Sequence, residues 1–438
     1  MPSPSEGEGI IAVSSPLRGE GWERVNCQYY FETVNKQKNT DMLTIQDIRK
    51  ALENIKDHIH KTPLIYSNSF SKMAGAEIYL KAENLQKTGS FKVRGAFNKM
   101  ARIKGSVIAA SMGNHAQAVA FAAGKTGIHA KIVMPITAPI VKEEATKGYG
   151  AEVILYGESF KEALDYAFSQ KEYTFIHAFD DEDIIAGQGT VGIEIINDLK
   201  DADIILVPVG GGGLISGIAT VAKTLSPKIR VIGVQTESAT SAFESFKEKK
   251  ICEKTPLPTI ADGIAIGKIG NQTFEIINKY VDDMILVSED SIAMAILLFL
   301  ERKKLVVEGA GAVPLAALLE NKEKFTGKRI VLVISGGNID FTLIDRIIHK
   351  GLVKSGRIGV FEVTVADVPG SLHSITGVIA SHRANVLDVV HNRLASDLQI
   401  GKTRVVFVVE TRNREHLEKI LSDLENKGFA VVKRSGSY

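Results

Sequence analysis

The sequence has 438 residues, with 45% hydrophobic and 24% charged side chains, and both fractions are typical of globular proteins. A chain of this length exceeds what one hydrophobic core usually serves, so two or three folding units are expected. The net charge of +2 argues against a nucleic-acid binder, because such proteins concentrate basic residues on one surface.

Membrane insertion, secretion and structural metal binding are not indicated either. No run of eighteen apolar residues occurs, which argues against a membrane span. The apolar patch at residues 10–13 is too short for the core of a signal peptide. Two cysteines, Cys27 and Cys252, cannot build a disulfide framework or a zinc site. We therefore expect a soluble, cytoplasmic protein without a bound metal.

Residues 1–41 differ from the rest of the chain. They are rich in glycine, serine and glutamate and show no sustained periodicity, which predicts a disordered or non-native extension. Thr44 then precedes an amphipathic helical pattern as a suitable N-cap. Met42 is therefore a candidate natural start.

Residues 42–350 alternate between short β-branched segments and amphipathic helical patterns. The predicted buried strands are Val107–Ala110, Lys131–Met134, Glu152–Leu155, Asp203–Val209, Val231–Gln235, Met284–Val287 and Ile330–Ile334. The clearest helical patterns are Lys161–Ser169, Leu214–Leu225 and Ile292–Lys303. Continuous apolar strands separated by helices are typical of parallel sheets with crossovers, so an α/β fold is predicted.

A short polar connection at residues 351–356 leads into a second pattern, which extends over 357–438. Its segments are predicted as strand, helix, strand, strand, helix and strand, namely Arg357–Ala366, Ser371–His382, Ala384–Asn392, Thr403–Glu410, Arg412–Asn426 and Phe429–Lys433. This is the ferredoxin-like βαββαβ order. A separate small domain is expected.

The first motif that carries chemistry surrounds Lys92, which lies between a strand-like segment at 78–80 and a helical pattern. A cation at a helix start is disfavoured by the helix dipole, and this lowers the pKa of an amine. A nucleophilic lysine needs such a lowered pKa. Most lysines at such junctions are merely solvated, so the neighbouring motifs must decide whether Lys92 has a chemical function.

The second motif is the run Gly210-Gly211-Gly212-Gly213 between a strand and a helix. Free amides at a helix start bind phosphate, and glycine permits the close approach. A tight turn and a dinucleotide site are the alternatives. The third glycine of the dinucleotide motif would fall at Ser216, although Glu237 lies near the position of the ribose-binding acid.

Two further clusters follow strands at their carboxyl ends, where open α/β sheets bind ligands. Ser111-Met112-Gly113-Asn114-His115 opens an apolar helix and offers amides for a substrate carboxylate, with an N-cap role for Asn114 as the alternative. The other cluster is Ser335-Gly336-Gly337-Asn338.

Together, the S-F-K-x-R-G-A, G-N-H-A-Q, four-glycine and S-G-G-N motifs resemble the fold-type II pyridoxal-phosphate enzymes, in the branch of threonine dehydratases and serine racemases. The resemblance extends over residues 44–347. It includes the segments Ala261-Asp262-Gly263 and Glu308-Gly309-Ala310-Gly311. It implies two open, twisted, mostly parallel sheets with helices on both faces, the smaller subdomain spanning roughly 88–185.

The resemblance also implies pyridoxal phosphate as cofactor and a role for each matching residue. Lys92 would carry the cofactor covalently and act as the catalytic base. Phe91 would pack on the ring, Asn114 would contact its 3-oxygen, and Ser335 would face its nitrogen. The glycine loop and Leu214 would hold the phosphate. The implied substrate-binding residues are Ser90, Ser111, Gly113, Asn114 and His115.

The implied activity is an ammonia-lyase that converts L-threonine, and L-serine more slowly, to a 2-oxo acid and ammonia. Racemases of the branch carry a serine where Met112 stands. Racemisation needs an acid–base group on each face of the substrate, so Met112 favours dehydration. A carboxylate that binds a cation in racemases is replaced by Gln235, which predicts a weak monovalent site or none. A serine dehydratase or racemase, an inactive amino-acid sensor and a nicotinamide oxidoreductase stay open.

Residues 357–434 resemble an ACT domain, a small ligand-sensing module of amino-acid enzymes. The predicted effector residues are Asp367, Pro369, Gly370, Ser371, Leu372 and Asn385. The alternative is a dimerisation module without a ligand. A single such domain, in place of the tandem pair of isoleucine-regulated enzymes, leaves the effector and the choice between isoleucine biosynthesis and catabolism open. A homodimer or homotetramer is expected.

Overall fold

The computed structural model describes residues 43–393 and 398–434. The strands in these residues are β1 Leu64–Tyr66, β2 Glu77–Ala82, β3 Val107–Ala110, β4 Ala130–Met134, β5 Glu152–Leu155, β6 Thr174–Phe175, β7 Ile204–Pro208, β8 Arg230–Thr236, β9 Asp283–Val287, β10 Arg329–Ile334, β11 Ile358–Ala366, β12 Asn385–Asn392, β13 Lys402–Glu410 and β14 Ala430–Lys433. The extension predicted at residues 1–41 lies outside the described part.

The α-helices of the described residues connect these strands. They are α1 Ile45–Ile55, α2 Asn68–Ala74, α3 Lys92–Met100, α4 Asn114–Thr126, α5 Ile140–Gly148, α6 Phe160–Ser169, α7 Glu182–Asp198, α8 Gly213–Leu225, α9 Ser241–Glu248, α10 Asn271–Tyr280, α11 Glu289–Leu298, α12 Gly309–Glu320, α13 Lys322–Phe325, α14 Phe341–Lys354, α15 Ser371–Ser381 and α16 Arg414–Asn426. None of them is both long and apolar enough to cross a membrane.

The larger sheet has the strand order β1-β2-β10-β7-β8-β9. Every neighbouring pair is parallel except β1 and β2, which pair antiparallel at one edge. Apolar side chains of its central strands enter two cores, one on each face of the sheet. The predicted α/β class with mostly parallel strands is confirmed. The edge strand β1 was not predicted, because three residues carry too little pattern.

The smaller sheet has the order β5-β4-β3-β6 and is parallel throughout. It packs its own core of alanine, valine and isoleucine side chains. One sequence-based expectation needs correction here, and one strand was missed. Strand β5 is half-exposed, because it forms the sheet edge, and the two-residue strand β6 was not predicted.

Helix boundaries follow local capping and packing. The Thr44 hydroxyl accepts from the Asp47 amide, and the Asp47 carboxylate accepts from Thr44, a complete capping box that begins α1. The helix predicted at Ile292–Lys303 is divided. Helix α11 ends at Leu298, and residues Phe299–Lys303 form a π-helical turn that ends at Lys304 with a positive φ.

A buried charge network fixes the start of α3. Arg94 donates from Nε and Nη2 to the Glu83 carboxylate at 2.8 Å and from Nη1 to Glu194 at 2.7 Å. Lys81 donates to the second oxygen of Glu194 at 2.5 Å. Burial opposes ionisation of Glu83, but the Arg94 guanidinium lowers the pKa of this carboxyl. Two cations and two anions therefore balance beside Lys92, the first residue of α3.

The C-terminal domain is a four-stranded antiparallel sheet of order β12-β13-β11-β14. Helices α15 and α16 bury their apolar positions against one face, around Phe361 and Phe407. The two rings stack with centroids 5.5 Å apart. The predicted βαββαβ order is confirmed, with most element boundaries within two residues.

Candidate active site

Two of the predicted motifs meet directly at the carboxyl ends of neighbouring strands. Strands β2 and β10 lie side by side in parallel, so the segments that follow them emerge together. The Phe91 amide donates to the Ser335 carbonyl at 3.1 Å, and Ser90 forms an isolated bridge with Gly336. The Ser335 side chain is buried. The Lys92 and Ser335 segments thus form one surface.

Lys92 is half-buried and belongs to this surface. Its Nζ donates to the Ala178 carbonyl at 2.8 Å and lies 5.3 Å from the centre of the Phe91 ring. Burial lowers the pKa of this amine to about 8, and the charge of Glu308 opposes that shift. From the sequence, the helix dipole was expected to lower the pKa of Lys92. Desolvation by burial is instead the main cause.

Two histidines near Lys92 are uncharged at neutral pH. The His115 Nε2 bonds to the Ile176 carbonyl at 2.9 Å, and burial lowers the pKa of this ring to about 3. Burial also lowers the pKa of His177, whose Nδ1 accepts from the Asp180 amide at 2.8 Å. The sequence placed His115 among the substrate contacts. Because the Ile176 carbonyl occupies its Nε2, this nitrogen is not available to a substrate, and the substrate contact of His115 stays a prediction.

Three of the four positions in the glycine loop require glycine. A Cβ at Gly211 would stand 2.3 Å from the Phe179 ring, and one at Gly213 would stand 3.0 Å from the Phe179 carbonyl oxygen. Gly212 has a φ of +96°, which side chains strongly disfavour. Leu214 follows in the first turn of α8. An added Cβ would therefore collide with Phe179 or Thr273. The loop offers backbone amides at a helix start, an arrangement that suits a phosphate.

The segment 177–180 contacts this loop and was not predicted from the sequence. Ala178 accepts from Lys92, and Phe179 packs under the glycine loop. The Asp180 carboxylate accepts from the backbone amides of Asn271 and Gln272 at 3.0 Å, which caps α10. These residues carry no recognisable spacing in the sequence. Their role arises because β6 ends beside the larger sheet.

Asn114 makes contacts to other segments in place of an N-cap. Gly113 occupies the cap position, and Asn114 is the first residue of α4. Its Nδ2 donates to both oxygens of Glu308 at 2.9 and 3.0 Å, and its Oδ1 accepts from Asn338 at 2.8 Å. The Ser111 hydroxyl accepts from the Gly113 amide at 3.2 Å. The capping alternative is therefore wrong, and the G-N-H and S-G-G-N motifs meet.

The segment considered for a cation is held by internal hydrogen bonds. Gln235 Oε1 accepts from the Phe243 amide at 2.9 Å. The Glu289 carboxylate accepts from Thr236 and Thr259 at 2.6 Å. In residues 43–393 and 398–434 no group of three or more His, Cys, Asp or Glu side chains is placed to hold a metal ion.

The C-terminal domain contains a cavity of about 330 Å³ at the loop after β11. It is lined by Ala366, Asp367, Val368, Pro369, Gly370, Ser371, Leu372, His391, Arg393 and Thr403. The predicted effector residues from Asp367 to Leu372 line it together, but Asn385 does not. Asn385 begins β12 and pairs with Glu410, roughly 20 Å from His391 at the strand's far end. His391 and Arg393 were missed, because the sequence does not show which end of β12 meets the loop.

The candidate site combines the desolvated amine of Lys92, the Phe91 ring, the buried Ser335 residue and the backbone amides of the glycine loop. This donor set fits an aromatic aldehyde that carries a phosphate, because the amine can bind the aldehyde and the amides the phosphate. Residues 55–336 match the family described as pyridoxal-phosphate dependent enzyme, and residues 359–429 match the ACT domain. The chain belongs to the family of pyridoxal-phosphate dependent enzymes, of fold type II, and it carries a C-terminal ACT domain.

Individual relatives agree with this assignment. The chain is 50% identical over 398 residues to an L-threonine ammonia-lyase of Thermotoga maritima, a match that covers 89% of this chain and 99% of the relative. A solved threonine deaminase from T.th. is 41% identical with a TM-score of 0.66, covering 68% of this chain and 99% of that one. Maize serine racemase is 35% identical with a TM-score of 0.67, covering 72% and 99%. Pyridoxal phosphate is the cofactor of this family.

Proposed function

We propose that this chain is an L-threonine ammonia-lyase, which also accepts L-serine and releases 2-oxobutanoate or pyruvate with ammonia. The observation that carries the proposal is the Lys92 amine, whose pKa burial lowers to about 8. It donates to the Ala178 carbonyl, next to the Phe179 residue that packs against the glycine loop. Relatives along nearly the whole chain, the ACT domain included, bear this activity in their names.

In the proposed reaction Lys92 binds the cofactor and then serves as the base. When bound, pyridoxal phosphate supplies an electron-withdrawing ring that stabilises negative charge at the substrate α-carbon. The lowered pKa leaves a larger fraction of the amine neutral near pH 8, and only the neutral amine accepts the α-proton. Loss of the β-hydroxyl as water, followed by hydrolysis at the α-carbon, gives the 2-oxo acid and ammonia.

The other residues would hold the reacting groups. The amides of Gly210, Gly211, Gly212 and Gly213 and the first turn of α8 would bind the phosphate. Phe91 would pack on the ring, Asn114 would reach the ring oxygen, and Ser335 would face the ring nitrogen. A neutral hydroxyl there does not enforce protonation of the nitrogen, which favours elimination over transamination.

The substrate carboxylate would bind where α4 begins. The amides of Asn114 and His115 lie in the first turn of α4 and have no intrahelical acceptor, whereas the Gly113 amide donates to the Ser111 hydroxyl. Ser90 lies on the loop after β2, which Asn338 links to Asn114 through the Thr88 carbonyl. Ser90 Oγ is buried and has no hydrogen-bond partner among the described residues. A carboxylate at this position would satisfy both the hydroxyl and the helix start.

Serine racemisation is the second candidate, because solved serine racemases have the same fold. Met112 speaks against it. This side chain packs against the core of the smaller sheet and has no exchangeable proton. Since racemisation requires an acid–base group on each face of the α-carbon, a thioether at this position favours the one-sided chemistry of a lyase.

We propose that the ACT domain senses an amino acid in the 330 Å³ cavity. Asp367 and Arg393 form an ion pair at 2.8 Å at its rim, which offers one charge of each sign to a zwitterion. The loop ends at Gly370, whose φ of +94° turns the chain into α15. The cytoplasmic location and the homodimeric or homotetrameric assembly stay predictions.

The test measures cofactor and reaction together. Purified protein is mixed with pyridoxal phosphate, and the visible absorbance is recorded before and after addition of L-threonine, with 2-oxobutanoate and ammonia assayed. The wild type is expected to bind the cofactor and release both products in equal amounts. Lys92→Ala should lose about 10²–10⁴-fold in rate.

Lys322→Ala, at an exposed lysine of α13, is the matched control and should react like the wild type. Absence of 2-oxobutanoate from cofactor-loaded wild type would contradict the proposed function. Formation of D-serine from L-serine faster than pyruvate would favour the racemase.

A further inference from the structure

Glu308 is a buried carboxyl group that the proposed chemistry does not use. It is 4% exposed and occupies the N-cap position of α12, yet its side chain makes no capping bond to its own helix. The carboxyl group instead accepts from the Asn114 side chain at 2.9 and 3.0 Å. Its hydrogen-bond donor is therefore the neutral side-chain amide of Asn114.

The hydrogen bonds around Glu308 fix which way the Asn114 amide points. The Thr88 carbonyl can only accept, so the 2.8 Å contact from Asn338 must come from the Asn338 Nδ2. That Nδ2 also donates to Asn114 at 2.8 Å, and the atom of Asn114 that it meets must therefore be Oδ1. The Asn114 Nδ2 is left facing Glu308. The assignment of oxygen and nitrogen thus follows from partners that cannot exchange roles.

Glu308 also joins the two subdomains. Asn114 begins a helix of the smaller sheet, whereas Glu308 precedes α12 on the larger one. The Glu308 amide donates to the Gly336 carbonyl at 3.1 Å. A Cβ at Gly336 would stand 2.4 Å from the Glu308 carboxylate. One side chain therefore contacts the loop after β3 and the loop after β10.

We propose that Glu308 is a positioning residue for the cofactor: its carboxylate holds the Asn114 amide with an N–H directed at the cofactor's ring oxygen. This inference rests on the cofactor placement of the proposed function. An ionised carboxylate accepts hydrogen bonds about twice as strongly as a neutral group. Asn114 is consequently held best when Glu308 is charged.

The charge of Glu308 depends on pH in the physiological range. Burial raises the pKa of this carboxyl to about 7, and the Asn114 hydrogen bond opposes that shift. Asp262 faces it from the loop before α10 and raises the pKa further, whereas Lys142 of α5 lowers it. Lys92 of α3 is a further charged neighbour. As pH falls through about 7, Glu308 takes up a proton and its hold on Asn114 weakens.

The test is a spectroscopic titration of the full chain with pyridoxal phosphate between pH 5.5 and 8.5, without substrate. The dissociation constants of wild type and Glu308→Gln are compared at each pH. Titration of the ligand's own phosphate affects both constants equally and cancels in their ratio. At pH 8 the variant should bind about ten- to a hundredfold more weakly, as expected for a lost hydrogen bond to a charged group. Below pH 6 the two proteins should converge.

Two further variants separate positioning from folding. Glu320→Gln makes the same change at the other end of α12, where Glu320 accepts from Ser288, and it should bind like the wild type. Glu308→Asp keeps the charge and should retain a pH-dependent affinity between those of wild type and Glu308→Gln. This variant carries the test if Glu308→Gln does not fold.

The inference is overturned if Glu308→Gln and wild type bind with one affinity at every pH, or if Glu308→Asp matches a folded Glu308→Gln throughout. These readings require no turnover. Suppose that Glu308→Gln binds the cofactor more weakly than the wild type, but the wild type makes no 2-oxobutanoate. This result would contradict the proposed reaction and still support the role of Glu308.

Discussion

The Phe179 ring lies so close to Gly211 that a Cβ at residue 211 would stand 2.3 Å from its carbons. Phe179 follows β6 of the smaller sheet, whereas Gly211 follows β7 of the larger one. The shape of the glycine loop therefore depends on contact between loops that follow strands of two different sheets.

Gly211→Ala should weaken cofactor binding, because the added methyl group displaces the Phe179 ring or the loop amides. We expect the dissociation constant of pyridoxal phosphate to rise about five- to 150-fold, since overpacking of a tight contact costs about 1–3 kcal/mol. Absorbance titration measures it. Gly105→Ala, where a Cβ meets no atom within 4 Å, should bind normally, and equal affinities would contradict the assigned phosphate site.

The rate at which pyridoxal phosphate attaches to cofactor-free protein should depend on the pKa of Lys92, which burial lowers to about 8. Only the neutral amine attacks the aldehyde, so the rate should rise about tenfold per pH unit below 8 and level off above it. Stopped-flow absorbance checks this. An N-acetyl-lysine amide in the same buffers should keep accelerating to about pH 10. If the rate for the protein rises with pH in the same way as the rate for this compound, the pKa of Lys92 is that of an ordinary lysine.

Met112→Ser should introduce slow racemisation, because a hydroxyl group then lies near the substrate face opposite Lys92. Chiral chromatography after incubation with L-serine should detect D-serine from this variant and none from wild type. Met112→Ala removes the thioether without adding an acid–base group and is the control. Equal D-serine from both variants would place the second proton donor elsewhere.

Arg94→Met should destabilise the protein strongly, because Glu83 and Glu194 would stay buried without their guanidinium partner. The expected loss in free energy of unfolding is about 3–5 kcal/mol, as for other broken buried ion pairs. Lys354→Met removes the exposed pair with Asp290 and should cost less than about 1 kcal/mol. Urea denaturation of both variants compares them, and similar losses would contradict the buried role.

Amino-acid binding to the ACT domain should depend on Arg393 and not on Asn385. Arg393→Ala removes the cation at the cavity rim, so the affinity for a bound amino acid should fall about tenfold or more, the usual value of a charged hydrogen bond. Calorimetric titration with the common amino acids finds the ligand. Asn385→Ala should bind normally, and loss of binding in this variant instead would place the site at the other end of β12.

Much of the fold could be predicted because its signals are local. Apolar runs of four to seven residues marked the central strands, and the capping residue Thr44 marked the start of α1. Strands β1 and β6 escaped prediction because two or three residues show no period. The π-helical turn at Phe299–Lys303 escaped because its apolar pattern continues that of α11.

The candidate site likewise has a part that could be predicted from the sequence and a part that could not. The motifs around Lys92, Asn114, Gly211 and Ser335 are each contiguous in sequence, so the order of residues was enough to predict their chemistry. The sequence by itself determined the family, the cofactor and the βαββαβ domain. Only the tertiary structure decided that Phe179 shapes the glycine loop and that Glu308 orients Asn114. Those contacts join residues more than thirty positions apart, and burial, which sets the pKa values of Lys92 and Glu308, exists only once the two sheets have packed.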